Sequence, residues 1–195
     1  MICLATPRLL LRTWRAEDRA DLDHLLSGAA SSVGNLVDGI DNEITDPVGT
    51  LQRAWDDDGF GVFALESLDD GGFVGLAGLL PAEANHGRSL DMVWRLGNGG
   101  ATAAETPTDD LAAEALMAVI DWAFGLLDVD LLAASVSADD AASTATARAA
   151  GLSNGARTLE ASTGTWVDRF SITLEAWREP GERTTAQREP GEVRS

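Results

Sequence analysis

The chain has 195 residues, the length of one domain, and 45% of them are hydrophobic, an ordinary share for a globular protein. With 32 acidic and 14 basic residues its formal charge is −18, every basic residue being an arginine. A chain this acidic lacks the basic surface that a nucleic-acid backbone requires, so no nucleic-acid partner is expected. A single cysteine, Cys3, excludes an internal disulfide and a cysteine-rich metal centre.

No run of about eighteen uncharged apolar residues is present, so no membrane span is expected. The opening MICLATPRLLLR lacks the basic region, apolar run and small-residue cleavage site of an export signal, which makes the cytoplasm the expected setting. The absence of lysine suits either a high-salt cytoplasm or a bias toward arginine.

Pro7 to Thr13 reads as a short strand, and Arg15 to Leu26 as a helix with Leu22, Leu25 and Leu26 at helical spacing. Pro47 is placed to open a second helix, which carries Leu51 and Trp55 and stops at Gly59. Two strands follow, Gly61 to Glu66 and Gly72 to Leu80, joined by the turn signal Asp69-Asp70-Gly71-Gly72. Ser89 to Leu96 is a further strand, and Gly97 to Thr106 a glycine-rich loop. Pro107 to Leu127 is the clearest helix, with Leu111, Leu116, Val119, Ile120, Ala123 and Phe124 on one wide apolar face. Asp130 to Ser137 reads as a strand, Asp139 to Ala150 as an alanine-rich helix stopped by Gly151, and Trp166 to Trp177 as a final strand. The tail from Arg178 repeats REPGE and has almost nothing apolar to bury, so residues 178–195 are expected to be disordered beside a domain at 1–177. The order describes a mixed α/β domain.

Three stretches carry a resemblance: TPRLLLRTWRAEDRADLDHLL at Thr6 to Leu26, GFGVFALESLDDGGFVGLAGL at Gly59 to Leu79, and LAAEALMAVIDWAFGLLDVDLLAASVSADDAASTATARAAGL at Leu111 to Leu152. Together with TWVDRFSITLEAW near the end, they resemble the GNAT superfamily of N-acetyltransferases. Within it they resemble the branch containing the ribosomal-protein alanine N-acetyltransferases (RimJ/RimL-like). The resemblance implies an α/β (α+β) fold with a mixed, mostly antiparallel sheet flanked by helices. Two central strands splay apart, and the pantetheine arm of acetyl-CoA lies between them, here against the backbone of Trp94, Arg95 and Leu96. It also implies a diphosphate seated on backbone N–H groups at the start of the following helix, an anion site made by unpaired donors and the positive dipole end.

The family's glycine signature at that helix start is missing. Thr108, Asp109 and Asp110 occupy those positions before Leu111, and Thr106-Pro107-Thr108-Asp109 reads as a helix that caps itself. At ~4–6 Å and an effective dielectric of ~20, each aspartate opposes a phosphate charge by roughly 3–4 kcal/mol. One charge-assisted backbone hydrogen bond returns only ~1.5–3 kcal/mol. Gly97, Gly99 and Gly100 offer either a substitute phosphate nest or simply a loop.

An acetyltransferase removes a proton from an ammonium acceptor and returns one to the departing thiolate. Asp91 stands where the branch often has an acidic residue and is the candidate base; otherwise it is an outward carboxylate on a half-exposed strand. Ser143 matches the serine that this branch uses as acid, a role left open by the lack of tyrosine; otherwise it is a polar surface residue. Asp140 replaces the family's asparagine near the cofactor. Neither His24 nor His86 has neighbours at metal-ligand spacing, so no metal is expected. Two readings stay open: an amine N-acyltransferase using acetyl-CoA, whose acidic surface suits a cationic acceptor, and a GNAT-fold binding module that no longer holds CoA. Asp109 and Asp110 favour the second and the rest of the resemblance the first. The sequence does not settle the oligomeric state.

Overall fold

The computed structural model describes residues 2–27, 46–82, 88–97, 108–160 and 164–179. The polar tail beyond Glu179, His86, Gly99, Gly100, Thr106 and Pro107 lie outside them. An eight-stranded sheet runs in the order β1-β2-β3-β4-β5-β6-β8-β7. Its strands are β1 (Cys3–Ala5), β2 (Leu9–Arg12), β3 (Val62–Ser67), β4 (Phe73–Pro81), β5 (Ser89–Leu96), β6 (Leu131–Ser137), β7 (Ser153–Leu159) and β8 (Trp166–Thr173). Every neighbouring pair is antiparallel except β5 and β6. The helices are α1 (Arg19–Ser27), entered through a 3-10 turn at Ala16–Asp18, α2 (Pro47–Asp58), α3 (Thr108–Leu126), α4 (Ala141–Ala149) and α5 (Leu174–Arg178).

Local chemistry sets the ends of these elements. Asp46 caps α2 by accepting the Gly49 N–H at 3.0 Å, with Pro47 at the first helical position. Gly59, at φ +74°, closes it by donating its N–H to the Trp55 carbonyl, and so ends the Asp56–Asp58 run. The hairpin between β3 and β4 turns at Gly71, at φ +71°, and Asp70 accepts the Gly72 N–H.

Three elements differ from the sequence reading. The segment predicted as one strand to Trp177 leaves the sheet at Thr173, whose hydroxyl accepts the Ala176 N–H and starts α5. Trp177 then donates to Asp121 at 2.7 Å and lies against Phe124, pinning α5 to α3. β1 has three residues and β7 is exposed throughout, so neither carries the apolar alternation that announces a strand.

Hydrophobic clusters cover both faces of the sheet. On one, α3 buries Leu111, Leu116, Val119, Ile120 and Ala123 against Leu9, Leu11, Phe63, Leu79 and Leu132, with Trp55, Phe63 and Trp122 in mutual ring contact. On the other, α1 and α2 bury Leu22, Leu25, Val48 and Leu51 against Val62, Ala64, Leu76 and Val93. Trp14 and Trp55 both donate their indole N–H to the Val62 carbonyl, at 2.8 and 3.0 Å. An ion network fastens the start of α1 to β2: Arg12 grips Asp18 with two bonds of 2.8 Å and Glu66 with one of 2.7 Å. Burial pushes the Asp18 carboxyl up, but its bonds to Arg12 and to the Arg15 N–H outweigh that and hold it below its usual range.

Candidate active site

The parallel neighbours β5 and β6 are paired only where they begin, at Ser89↔Leu131, Leu90↔Leu132 and Asp91↔Ala133. Beyond that point each strand stays paired on its outer side. β5 follows β4 as far as Gly75↔Leu96, and β6 follows β8 as far as Ser137↔Val167. The sheet therefore parts along Met92–Leu96 and Ala134–Ser137. Connecting two parallel neighbours, α3 runs back against them, so its first turn lies at the strands' carboxyl ends, where the cleft opens. α4 starts just after β6, at the same end. Topology thus gathers the predicted site: Asp91, Trp94, Arg95 and Leu96 on one wall, Thr108, Asp109, Asp110 and Leu111 at one helix start, Asp140 and Ser143 at the other.

Alternation along β5 divides its residues between the two faces. Trp94 and Leu96 pack with Leu90 and Met92 on the α3 side. On the α1–α2 side stand Asp91, Val93 and Arg95, opposite Leu80, Gly78 and Leu76. Asp91 accepts a 2.5 Å bond from Arg169 of β8, which also donates to the Ser135 hydroxyl of β6 at 2.8 Å. One guanidinium thus ties three strands together at the point where the cleft begins, and orients the candidate base. Arg95 is half-buried with no hydrogen bond or ion pair among the described residues. Burial holds its guanidinium below the ordinary arginine value.

Leu111 is buried in the α3 core, whereas Asp110 is exposed. Asp140 is the N-cap of α4: one oxygen accepts the Ser143 N–H at 2.9 Å, the other the Ser143 hydroxyl at 2.8 Å. The side chain that replaces the family's asparagine therefore does a cap's work, and it holds the proton of the candidate acid.

Sequence reasoning missed Arg169, Ser135 and Glu114. The first two fall in strands whose register decides what they touch. Glu114 of α3 accepts from the Thr6 hydroxyl at 2.5 Å, the Arg8 N–H at 2.9 Å and the Arg8 guanidinium at 2.6 Å, closing α3 over the start of β2. Burial raises its proton affinity, and these bonds lower it by more. A shallow cavity of about 450 Å³ lies at the outer end of β6, lined by Ala138, Asp139, Arg157 and Trp166. It contains none of the residues above. Among the described residues no cluster of His, Cys, Asp and Glu is placed to hold a metal, and no helix is long and apolar enough to cross a membrane.

The family profile described as "Acetyltransferase (GNAT) domain" matches residues 8–153. No curated protein matches the sequence. Among solved structures, an acetyltransferase from Agrobacterium tumefaciens is 26% identical, covering 87% of this chain and 94% of its own at a TM-score of 0.63. The ribosomal L7/L12 alpha-N-protein acetyltransferase RimL, in complex with coenzyme A, is 12% identical, covering 90% and 99% at a TM-score of 0.69. A GNAT-family acetyltransferase from Bacillus anthracis is 14% identical, covering 89% and 99% at a TM-score of 0.64. These folds are consistent with the RimJ/RimL-like branch. With a profile that spans most of the chain and a sheet that parts between β5 and β6, the chain belongs to the GNAT acetyltransferase family.

Proposed function

We propose that this protein transfers the acetyl group of acetyl-CoA to a primary amine in the cytoplasm. The observation that carries this reading is the early end of β5–β6 pairing at Asp91↔Ala133. It leaves the β6-facing backbone of Met92–Leu96 to accept an extended, amide-bearing chain as an added strand would be accepted. Acetyl-CoA supplies an activated acyl group. Asp91, held by Arg169, takes the proton that an ammonium acceptor must lose before it attacks, directly or through a water. The bond from nitrogen to the acyl carbon forms as the carbon–sulfur bond breaks. Once its hydroxyl turns from Asp140, Ser143 gives its proton to the thiolate and is reprotonated by the second proton that the acylated nitrogen sheds, directly or through a water. The formal charge of −18 draws a cationic amine to the protein.

Asp109 and Asp110 at the start of α3 favour a second reading, a binding module that no longer holds CoA. A thiol-release assay with acetyl-CoA and a panel of amines decides between them. Amine-dependent release of CoA that Asp91→Asn abolishes supports transfer. No release with any amine, at low or high salt, leaves the binding module.

A further inference from the structure

We infer that the acceptor carries a carboxylate, and that Arg95 is the residue that holds it; this deepens the reading of the cleft as an acetyl-transfer site and rests on it. In a chain with 32 acidic residues, most of the described arginines find a partner. Arg8, Arg12, Arg15, Arg19, Arg88, Arg157 and Arg169 all lie within 4.0 Å of a carboxylate. Among the described residues Arg53, Arg148 and Arg178 have no such neighbour, and all three are exposed, where water suffices. Among the described arginines Arg95 alone combines the lack of a carboxylate with partial burial. A guanidinium half withdrawn from water and left without a counter-ion is disfavoured until an oxyanion arrives, and its planar fork suits a carboxylate.

The placement of Arg95 connects it with the reaction. It shares the α1–α2 face of β5 with Asp91, the candidate base, and follows it by four residues, roughly 13 Å along a strand at ~3.3 Å per residue. β5 passes under the last turn of α1 just beyond Arg95, since a Cβ added at Gly97 would lie 3.3 Å from Leu25 Cδ1. On that face the two groups flank Val93, which is buried in the α1–α2 core, so an acceptor that meets both spans the gap beside the edge of β5 that β6 leaves unpaired. An ammonium end suits Asp91 and a carboxylate end Arg95, with the ends set several bonds apart, as in a dipeptide or tripeptide. A monoanion is favoured over a phosphate dianion because the net charge of −18 opposes each added negative charge. The acceptor is then a zwitterion whose amine the acidic field attracts and whose acid only Arg95 receives.

The test is binding, measured by calorimetry on the full chain without acetyl-CoA. Alanyl di- and tripeptides with a free C-terminus are compared with their C-terminal amides, with phosphoethanolamine and with spermidine, on the wild type and on Arg95→Gln and Arg95→Lys. The expected result is that the free acids bind the wild type about 30-fold more tightly than the amides, and that Arg95→Gln removes the difference while Arg95→Lys keeps part of it. Equal binding of acid and amide by the wild type overturns the inference, as does tighter binding of spermidine or phosphoethanolamine, or an acid preference that survives in Arg95→Gln. A separate acetyl-CoA titration of the same proteins reports on the transfer reading. Peptide binding that depends on Arg95 without acetyl-CoA binding rejects that reading and keeps Arg95 as a carboxylate site.

Discussion

Replacing Asp109 and Asp110 together by asparagine tests whether charge at the start of α3 opposes the diphosphate of CoA. The helix begins at Thr108, so the two aspartates are its second and third residues, about 3 Å or less along the axis from the first. From first-turn N–H groups to a carboxylate of the same turn the usual span is ~6 Å, the distance taken for each charge pair. Because Asp110 is exposed, the fitting dielectric is ~40–80 rather than the ~20 of a buried site, and one pair of charges costs ~0.7–1.4 kcal/mol. Two aspartates facing two phosphate charges make four such pairs, which a Debye length of ~8 Å at 0.15 M salt reduces to a total of ~1.3–2.6 kcal/mol. The double variant is therefore expected to bind CoA about 10–80-fold more tightly at 0.15 M salt. At 1 M salt, where the Debye length is ~3 Å, the gain falls to about 2–4-fold. Asparagine keeps the shape of the side chain, so helix geometry is preserved. Calorimetric titration with CoA at both salts reads the effect, and acetyl-pantetheine, which lacks the diphosphate, serves as control. No gain at 0.15 M, an equal gain at both salts, or an equal gain for acetyl-pantetheine would refute the electrostatic reasoning.

Asp18→Ala strips Arg12 of its bidentate partner in a buried network and is expected to cost ~2–4 kcal/mol, somewhat below a fully broken pair because Glu66 remains; replacing Arg12 and Asp18 together by Met and Leu is expected to cost less than the single change, as urea unfolding will read. Stability is also expected to fall in acid. Asp18 and Glu114 bind protons less readily folded than unfolded, so their contribution is complete above the unfolded carboxylate values and is lost as pH falls from about 5 toward 3. Glu114→Gln should flatten that slope in thermal melts taken across the range. Gly75→Ala is expected to reduce kcat/KM by about 100-fold. At φ +152° its added Cβ would lie 2.2 Å from the Arg95 carbonyl oxygen and 2.8 Å from Leu96 Cα, displacing the cleft wall. An unchanged kcat/KM would contradict that role for Gly75.

The α3 face, the capped and glycine-stopped α2 and the β3–β4 hairpin were all legible in the sequence because short-range chemistry decides them. Apolar spacing, a proline after an aspartate, and a glycine at positive φ act within a few residues. Asp91 and Ser143 were legible only as candidates, through the resemblance of LDMVWRL and DDAASTATARAAGL to the family. What they touch was not. Arg169 meets Asp91 across 78 residues of chain because β8 pairs with β6 in one particular register, and a shift of one residue would turn it to the other face. Glu114 likewise sits on α3 among apolar neighbours, and only the docking of the Thr6–Arg8 segment explains its charge there. Strand β7 escaped notice because an exposed edge needs no apolar alternation. Arg95 stood in the sequence as one more residue of a cofactor-holding strand; its significance lies in being half-buried in an acidic protein with no carboxylate beside it among the described residues, which only the folded arrangement reveals.

A crystal structure with coenzyme A tests the central claim most directly. The account predicts pantetheine between Met92–Leu96 and Ala134–Ser137, its amides bonded to β5, with the sulfur near the point where Asp91 leaves its partner Ala133. CoA bound elsewhere, as in the cavity beside Trp166, or a β5–β6 ladder that stays paired to Leu96 in the crystal, would contradict it.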